Sequence, residues 1–365
     1  MSRAIPSTTS QWVIESNTGI SGLKLKHDVP IPSLGAHDIL VKVHAVALNS
    51  RDHQILNVSI LIPYSCPKLI FQPSFQNTYL WGATPGVVPL SDGAGSVLAI
   101  GEAVTRFSTE SRVAATFHRP WLGGKLTSIA QTSQIGARAD GLLRQYAVFH
   151  EDELVAIPSN YSFVQASTLP CAALTAWNAL FCGSVGLKPG DVVLTQGSGG
   201  VSLFAIQFAR AAGATVISTT GQLGGERETH LRRLGAKVVL SYRDSDWGEQ
   251  AKAATGGRGV DFIVEVSGAA EQSAAALRIG GQIAVIGGAG GSGGSAFDMR
   301  ITMGELRRVA VGNRDQFEDM NRAIEANGIE PVVDKTVWRF EQAKEAFEYA
   351  QSGKMTGKVI VQIAD

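Results

Sequence analysis

The sequence predicts an α/β protein made of a doubly wound parallel sheet and a separate, irregular β-rich domain. From about residue 190, apolar strand-like runs alternate with helical stretches, which is the pattern of repeated β-α units. The first 150 residues instead contain short β-prone pieces broken by Gly, Pro, Ser and Asn. With 365 residues, 44% of them hydrophobic, the chain can form one large or two medium domains with real cores.

The individual elements follow from the apolar pattern, in which short β-branched runs indicate strands and helical spacing indicates helices. The predicted elements of the parallel sheet are the strands Asp191–Gln196, Thr215–Thr219, Lys237–Leu240, Val260–Glu265 and Gln282–Ile286, and the helices Val201–Ala212 and Glu226–Leu234. In the first domain Ile39–His44 has the pattern of a strand. A Gly/Ser run, Gly287–Ser295, predicts a flexible loop. A strand, two helices and a final strand, Lys358–Gln362, are predicted after it.

These elements place the domain limits at residues 1–155, 156–305 and 306–365. The first range is the β-rich domain, the second is the parallel-sheet domain, and the third returns to the first domain. Residues 58–81 form an apolar, aromatic and proline-bearing stretch without clear periodicity. We interpret this stretch as a surface insertion or a cap on the substrate side. A gene-model artefact, such as a translated intron, is the alternative.

Composition restricts the classes of partner. Lys plus Arg and Asp plus Glu number 32 each, so no basic field is available for nucleic-acid phosphates. The first residues lack the apolar core of a signal peptide. The sequence also has no run of about 18 apolar residues, the length needed to span a bilayer. The cysteines, Cys66, Cys171 and Cys182, are too few and too scattered for a disulfide framework or a four-cysteine zinc site. We expect a cytoplasmic protein with a small-molecule partner, no nucleic acid and no membrane.

A glycine-rich turn, Gln196–Val201, separates a predicted strand from a predicted helix. Backbone N–H groups at the helix start can point at a pyrophosphate, and glycines allow the backbone to approach it closely. The residues expected to do this are Ser198, Gly199, Gly200 and Val201. A glycine cluster alone is often only a tight turn, but its position at the head of repeated β-α units indicates a dinucleotide site.

The end of the second strand distinguishes NAD from NADP. An acidic residue there would hold the ribose 2′-hydroxyl of NAD and repel a 2′-phosphate. This chain has Thr219, Thr220 and Arg227 in that region, two hydroxyls and a guanidinium that favour NADP(H). Pairing of Glu226 with Arg227 would weaken that preference, so NAD is the alternative.

Several motifs resemble those of the medium-chain dehydrogenase/reductase superfamily and together cover nearly the whole chain. They are Leu48–Asp52, Ser91–Gly95, Leu169–Trp177, the glycine-rich turn, Gly256–Asp261 and Gly353–Val359. The chain is most similar to the quinone oxidoreductase-like and zinc-type alcohol dehydrogenase-like branches. The resemblance implies a GroES-like catalytic domain and a Rossmann domain. It also implies a homodimer or homotetramer formed through edge strands of the Rossmann sheet, for which Gln282–Gly287 is the expected strand.

The resemblance also concerns metal. In zinc alcohol dehydrogenases of this superfamily the catalytic ion is held by Cys, His and Cys, one in each of the first three motifs. The matching residues here are Asn49, Ser91 and Cys171, and one thiolate cannot build a tetrahedral zinc site. Asp92 could add an oxygen ligand, but Asn and Ser bind zinc poorly, so we expect no catalytic metal.

The resemblance assigns further cofactor contacts. It implies that Asn49 lies near the nicotinamide ribose, Thr175 near the nicotinamide ring and Tyr242 near the adenosine phosphate end. It implies other contacts from Ser267, Gly268, Ile286, Gly287, Val311 and Asn313. Ordinary strand-end packing is the alternative for each of them.

Without a metal, hydrogen-bond donors must stabilise the charge that develops on the substrate oxygen. Asn49 and Ser91 are the leading catalytic candidates because they stand at the positions of the metal ligands. Tyr64, His118 and Cys171 are candidates for proton delivery. The alternatives are that Asn49 serves only the cofactor, Ser91 caps a turn and Cys171 is a packed residue.

Aromatic and aliphatic side chains, Phe117, Trp121, Leu122 and Trp81, predict an apolar pocket wall. Reduction of a small hydrophobic enone, quinone or carbonyl fits best, because it needs only a hydride and a later proton. The alternatives are an NADP-dependent secondary-alcohol dehydrogenase and an NADPH-binding protein without turnover.

Overall fold

The computed structural model describes residues 5–57, 83–286, 297 and 302–364. The chain divides into two compact units, the first formed by Met1–Cys171 with Gly312–Asp365 and the second by Ala172–Val311. The first unit is therefore built from both ends of the chain. The limits of the second unit differ from the predicted limits, 156–305, by 16 residues at its start and 6 at its end.

The elements are numbered along the described part of the chain. The strands are β1 (Thr8–Ile14), β2 (Leu23–Pro30), β3 (Asp38–Ala47), β4 (Asp92–Ile100), β5 (Arg112–Ala115), β6 (Tyr146–His150), β7 (Leu154–Ala156), β8 (Val192–Thr195), β9 (Thr215–Thr220), β10 (Ala236–Ser241), β11 (Val260–Glu265), β12 (Leu277–Ile286), β13 (Glu305–Val309), β14 (Val333–Arg339) and β15 (Lys358–Gln362). The helices are α1 (Ser50–Leu56), α2 (Ser128–Gln131), α3 (Phe163–Ala166), α4 (Leu174–Phe181), α5 (Gly200–Ala211), α6 (Glu226–Leu234), α7 (Trp247–Ala253), α8 (Ala270–Ala276), α9 (Arg314–Asn327) and α10 (Ala343–Gln351).

The first unit is organised around a sheet with the strand order β14-β15-β3-β4-β5-β7, in which β6 also pairs with β3. Its described pairs are antiparallel except for the parallel pair of β14 and β15. A separate hairpin is formed by β1 and β2. Alternate residues of β3, including Ile39, Val41 and Val43, are buried in a core that also contains Phe149 and Phe347. The last strand, β15, thus lies inside a sheet begun by the first half of the chain.

The second unit contains a six-stranded parallel sheet with the order β10-β9-β8-β11-β12-β13. Its strands bury Leu194, Ile217, Ile263 and Ile283 in one core cluster. The strand order reverses between β8 and β11, and ligands of doubly wound sheets bind at the carboxyl ends of strands at such a point. The predicted fold class, a GroES-like β-rich domain with a doubly wound Rossmann domain, is confirmed.

The predicted strand limits were correct for Val260–Glu265 and Lys358–Gln362, and the predicted helix limits for Glu226–Leu234. The predicted edge strand was wrong, because β12 lies between β11 and β13, and the described edges of the sheet are β10 and β13. An additional strand, β14, lies between the two C-terminal helices. The predicted insertion at 58–81 and the Gly287–Ser295 loop lie outside the described residues.

None of the helices in the described ranges is both long enough and apolar enough to cross a membrane.

Candidate active site

Polar side chains at the ends of three neighbouring strands form a buried cluster in the first unit. Asn49 follows β3, Ser91 and Asp92 stand at the start of β4, and Lys358 begins β15. These ends meet because the sheet register aligns the last residue of β3, Ala47, with Asp92 on one side and with β15 on the other. Asn49, Ser91, Asp92 and Lys358 are called the Lys358 cluster below.

The ammonium group of Lys358 lies among three oxygens. Its Nζ donates hydrogen bonds to the Leu48 carbonyl at 2.7 Å and to Asn49 Oδ1 at 2.5 Å, and lies 3.4 Å from Asp92 Oδ2. Ser91 Oγ donates to the other Asp92 oxygen, Oδ1, at 2.9 Å. The Lys358 side chain is 5% exposed and that of Asp92 is 0% exposed, so the two form a buried ion pair.

Contact with Lys358 fixes the orientation of the Asn49 amide. Only the amide oxygen can accept a hydrogen bond from an ammonium group, so Nδ2 is turned away from Lys358. Nδ2 is buried, and none of the described residues accepts a hydrogen bond of normal geometry from it. The amide nevertheless lies near Asp92 and lowers the pKa of that carboxyl. A buried donor without an acceptor costs about 1–3 kcal/mol, which a ligand oxygen would recover.

Backbone strain precedes Ser91. Leu90 is fully buried and adopts a left-handed conformation with φ 70°. Such conformations cost about 1–3 kcal/mol in residues with a side chain and concentrate at functional sites. This strained turn leads directly into the two polar residues that enter the Lys358 cluster from β4.

Burial controls the protonation of the acids near the cluster. It raises the pKa of Asp92, against the opposing effect of the Lys358 charge. Burial also raises the pKa of Asp52 to about 6, although the Arg51 charge opposes this. Asp52 Oδ2 accepts a hydrogen bond from the Asn49 backbone N–H at 2.7 Å and so caps α1. The backbone of Asn49 is therefore held by one acid and its side chain by Lys358.

The thiol of Cys171 is a neutral group at physiological pH. Burial raises its pKa to about 12, and the negative charge of Asp92 acts in the same direction. A divalent cation at this cluster would be repelled by the Lys358 ammonium group. In the described ranges no three His, Cys, Asp or Glu side chains are placed to hold a metal ion. The donor set at this cluster does not fit zinc.

Other predicted residues of the first unit lie in packed surroundings. His118 is 2% exposed, and its Nδ1 donates to the Ala130 carbonyl at 2.9 Å. Phe117 and Trp121 are buried beside it. Asn313 caps α9, since its Oδ1 accepts from the Gln316 N–H at 2.9 Å. The roles predicted for these residues toward a substrate or cofactor stay predictions.

Leu122 is 36% exposed, unlike the other described members of the predicted pocket wall. The remaining member, Trp81, lies outside the described residues, as do the predicted site residues Tyr64 and Gly287. Their assignments stay predictions.

In the second unit the glycine-rich turn connects β8 to the N-terminus of α5. Gly197 has φ +70°, a conformation that favours glycine, and the capping residue Gly199 provides no side-chain hydrogen bond to the helix. A Cβ atom added at either glycine would meet no protein atom within 4 Å. Ser198 and Gly199 lie in this turn, and Gly200 and Val201 begin the helix. The open space and the uncapped N–H groups fit the pyrophosphate of a dinucleotide.

The residues predicted to distinguish NADP from NAD lie at the ends of neighbouring strands. Thr219 and Thr220 end β9 and are buried, and Thr219 Oγ1 accepts from the Gly197 N–H at 3.2 Å. Tyr242, half exposed after β10, donates its N–H to the Thr220 carbonyl at 3.0 Å. Arg227 is exposed in the first turn of α6. The structure thus brings Thr219, Thr220 and Tyr242 to the same end of two adjacent strands, and Arg227 lies in the helix that follows β9.

A buried polar network at the ends of β8 and β11 was not predicted. Glu265 is fully buried and accepts hydrogen bonds from Gln196 Nε2 at 2.7 Å, Gly268 N at 2.7 Å and Ser267 N at 2.8 Å. It also accepts a hydrogen bond from Ser273 Oγ. The network fixes the Ser267–Gly268 turn at the point where the strand order reverses. The sequence signal that could have predicted this network is the polar residue, Gln196 or Glu265, at the end of each of two apolar strands.

Three further predicted cofactor residues lie in the second unit. Thr175 is 3% exposed within α4, and Ile286 ends β12. Val311 has φ 59°, a strained conformation for a β-branched residue, and its carbonyl accepts a hydrogen bond from Asn178 Nδ2 at 2.7 Å. These positions are defined here, whereas their cofactor contacts stay predictions.

Comparison with known proteins gives matches along most of the chain. The family model "Alcohol dehydrogenase GroES-like domain" matches residues 35–159, and "Zinc-binding dehydrogenase" matches residues 200–326. A zinc-type alcohol dehydrogenase-like protein of Schizosaccharomyces pombe is 37% identical over 349 residues, which are 93% of this chain and 94% of that protein. A chloroplastic NADPH-dependent alkenal/one oxidoreductase of Arabidopsis thaliana is 26% identical over 360 residues, 98% of this chain and 80% of that protein.

A solved structure from Sinorhizobium meliloti 1021, assigned as an alcohol dehydrogenase, superposes with a TM-score of 0.83 at 33% identity. The superposition covers 99% of this chain and 100% of the Sinorhizobium meliloti chain. The sheet orders, the glycine-rich turn and these matches agree with one another. The chain therefore belongs to the medium-chain dehydrogenase/reductase superfamily and is an oxidoreductase that uses a nicotinamide cofactor.

Proposed function

We propose that this protein transfers a hydride between NADP(H) and a small hydrophobic enone, quinone or carbonyl, without zinc. The observation that carries the proposal is the 2.5 Å hydrogen bond from Lys358 Nζ to Asn49 Oδ1. It leaves the buried Asn49 Nδ2 group available as a donor to a substrate oxygen. A reduced nicotinamide, when bound, supplies the hydride.

In this proposal Asn49 Nδ2 donates a hydrogen bond to the substrate oxygen. The Lys358 charge lies behind the amide and polarises it, so that the N–H becomes a stronger donor as negative charge develops on the oxygen. Asn49 is held in place before substrate binds by Lys358 and by the cap from Asp52. Loss of one preorganised donor of this kind typically lowers kcat about 10²–10³-fold.

Ser91 and Cys171 have different roles in the proposed mechanism. The Ser91 hydroxyl proton is already donated to Asp92, so Ser91 orients this carboxylate and is a positioning residue. Cys171 keeps its proton, since its pKa is raised to about 12. It is the described side chain we assign as the hydrogen-bond or proton donor to the carbanion or oxyanion left by hydride transfer.

The proposed absence of catalytic zinc rests on the ligands. The positions of the three metal ligands hold an amide whose oxygen already accepts from an ammonium group, a hydroxyl bound to a carboxylate and a single thiol, Cys171. Positive charge at the site is supplied by Lys358 instead. Enone or quinone reduction suits this arrangement, because it does not require a metal alkoxide.

The preference for NADP(H) rests on the second unit and on one relative. The N–H groups of Ser198–Val201 would hold the pyrophosphate, while Thr219, Thr220 and Arg227 would hold the 2′-phosphate. No acidic residue ends β9, where a carboxylate would favour NAD. A relative similar over 98% of this chain carries NADPH and alkenal/one reduction in its name.

The direct test is titration of chelator-treated protein with NADPH and NADH, followed by a panel of enones, quinones and aldehydes. We expect NADPH-selective binding and enone- or quinone-dependent loss of reduced-nicotinamide absorbance, unchanged by added Zn²⁺. Binding without oxidation by any member of the panel would instead indicate a cofactor-binding protein. Activity that appears only with Zn²⁺ would overturn the zinc-independent mechanism.

The cofactor part of the proposal is tested with Arg227→Ala. We expect NADPH binding to weaken more than about tenfold, as for a lost charge-assisted phosphate contact, while NADH binding stays nearly unchanged. Arg233→Ala, in the last turn of the same helix, is the matched control and is expected to change neither. Equal losses for both cofactors in Arg227→Ala would remove the 2′-phosphate assignment.

A further inference from the structure

A cavity of about 360 Å³ in the first unit shares no lining residue with the Lys358 cluster. One wall is apolar and is formed by residues of and after β2, Pro30, Ile31 and Pro32, together with Val148 of β6. Two arginines, Arg119 and Arg144, also line it. Its volume is near the lower end of the range of about 300–1,000 Å³ for small-molecule sites.

The two arginines differ in their partners. Arg119 is committed to Glu153, to which it donates two hydrogen bonds, from Nε at 2.8 Å and from Nη2 at 2.7 Å. This bidentate pair neutralises its charge and fixes its position. Arg119 therefore forms part of the cavity wall, and its charge is already paired without a ligand.

Arg144 has no comparable partner. Its side chain is 14% exposed, its buried Nε lacks an acceptor, and none of the described residues accepts a hydrogen bond from its guanidinium. The nearest charge is Asp140 Oδ2 at 3.6 Å, and that carboxylate is 47% exposed and also accepts from the Val88 N–H at 3.0 Å. A largely buried guanidinium that makes no hydrogen bond is unusual, since buried polar groups are nearly always paired.

The electrostatics of the cavity favour an added anion. Burial lowers the pKa of Arg144, and the charge of Arg119 acts in the same direction while Asp140 opposes it. An anion beside Arg144 would relieve both unfavourable effects. Asp140, which also lines the cavity, and Glu153 balance the charges of Arg144 and Arg119, so a ligand with a single charge meets less repulsion from these carboxylates than a phosphate dianion.

We propose that this cavity binds a small monocarboxylate with an apolar chain, its carboxylate held by the Arg144 guanidinium and its chain against Ile31, Pro32 and Val148. The planar guanidinium matches a carboxylate bidentately. The proline-rich wall offers contact surface to a short hydrocarbon chain and has no donor at Pro30 or Pro32 to compete for the anion. This site is independent of the proposed hydride transfer, whose residues it does not use.

The proposal is tested by calorimetric titration of the full-length protein with hexanoate, with hexanol as the uncharged analogue and with inorganic phosphate. We expect saturable binding of one hexanoate, at least about tenfold tighter than hexanol, consistent with a charge-assisted pair. Phosphate should bind more weakly than hexanoate. No saturable hexanoate binding, or phosphate binding tighter than hexanoate, would overturn the monocarboxylate assignment.

Variants locate the binding. Arg144→Leu should abolish hexanoate binding, and Val148→Phe, which narrows the cavity and keeps the arginine, should weaken it at least about tenfold. Arg243→Leu, an exposed arginine of the other unit, is the control and should leave it unchanged. Thermal unfolding of each variant reports whether the first unit stays folded, and NADPH binding separates this site from the cofactor site proposed in the second unit. Hexanoate binding that survives in both Arg144→Leu and Val148→Phe would place the ligand elsewhere and refute the proposal.

Discussion

The Lys358 ammonium group and the Asp92 carboxylate have almost no exposed side-chain surface. Two desolvated charges stabilise each other only while both are present, and removal of one typically costs about 3–5 kcal/mol because the other stays buried and unpaired. Any substitution at Lys358 therefore changes stability as well as chemistry. A single variant cannot separate the two effects.

A double variant separates them. Lys358→Met should lower the free energy of unfolding by about 3–5 kcal/mol and turnover by about 10²-fold, the scale of a lost electrostatic donor. Lys358→Met combined with Asp92→Asn removes both charges and should recover most of the stability but not the turnover. Urea unfolding and steady-state kinetics of the three proteins provide the measurement. Recovery of turnover along with stability would show that Lys358 acts only through folding.

The raised pKa of Asp52 gives stability a specific pH dependence. The folded-state value, about 6, lies above the ordinary 3.8, so the folded protein holds an extra proton between these values. Stability is therefore lost as pH rises from about 4 to about 6, by about 3 kcal/mol at 1.36 kcal/mol per pKa unit. Asp52→Asn keeps an oxygen that can accept from the Asn49 N–H and does not titrate.

Urea unfolding of both proteins at pH 4, 5, 6 and 7 isolates this contribution. The free energy of unfolding of the wild type relative to Asp52→Asn should fall by about 3 kcal/mol across that range. A difference that is constant with pH would mean that the carboxyl of Asp52 titrates normally in the folded protein.

At the level of single residues, the sequence predicted part of the candidate site. Asn49, Ser91 and Cys171 were identified by their motifs. Lys358 was not, because its partner Asn49 lies 309 residues away and a lysine at the start of a strand is usually solvated. Arg144 was missed for a related reason, since only the folded hairpin and loops show that its guanidinium makes no hydrogen bond.

The elements of the second unit were largely predictable because each has a strong local signal. The strand Val260–Glu265 is apolar at nearly every position, and α6 carries acidic residues at its start and basic residues at its end. The strand β14, Val333–Arg339, was missed because it contains charged residues and is held by pairing with β15. The edge position of β13 depends on strand pairing, which single-sequence patterns do not specify.

The turn between β8 and α5 provides a test with a matched control. Gly197 and Gly190 flank β8, both have positive φ, and a Cβ at either would meet no protein atom within 4 Å. Alanine at each should therefore cost a similar backbone strain, about 1–2 kcal/mol. Only Gly197→Ala places a methyl group in the space that we assign to the pyrophosphate.

Both variants are compared by thermal unfolding and by NADPH titration. We expect similar decreases in Tm, but weaker NADPH binding, by at least about tenfold, only for Gly197→Ala. A similar loss of NADPH binding in Gly190→Ala would attribute the effect to strain and would not support a cofactor site in this turn.

For the whole molecule, the chain divides into two units of which the first contains both chain ends. The predicted division into residues 1–155, 156–305 and 306–365 stays a prediction. The predicted homodimer or homotetramer stays a prediction. If an edge strand of the parallel sheet mediates it, the candidates among the described strands are β10 and β13, in place of the strand expected from the sequence.

The place of β15 inside the first sheet has a consequence for biosynthesis. At about 5–20 residues per second, Asn49 leaves the ribosome about 15–60 s before Lys358 does. During that time the Ala45–Ala47 end of β3 can pair with β4 on one side only, and the Asp92 carboxylate lacks its counter-ion. An unpaired apolar strand end attracts other chains. We therefore expect the nascent chain to associate with other chains more readily before the final strand is released than after that strand has paired with β3.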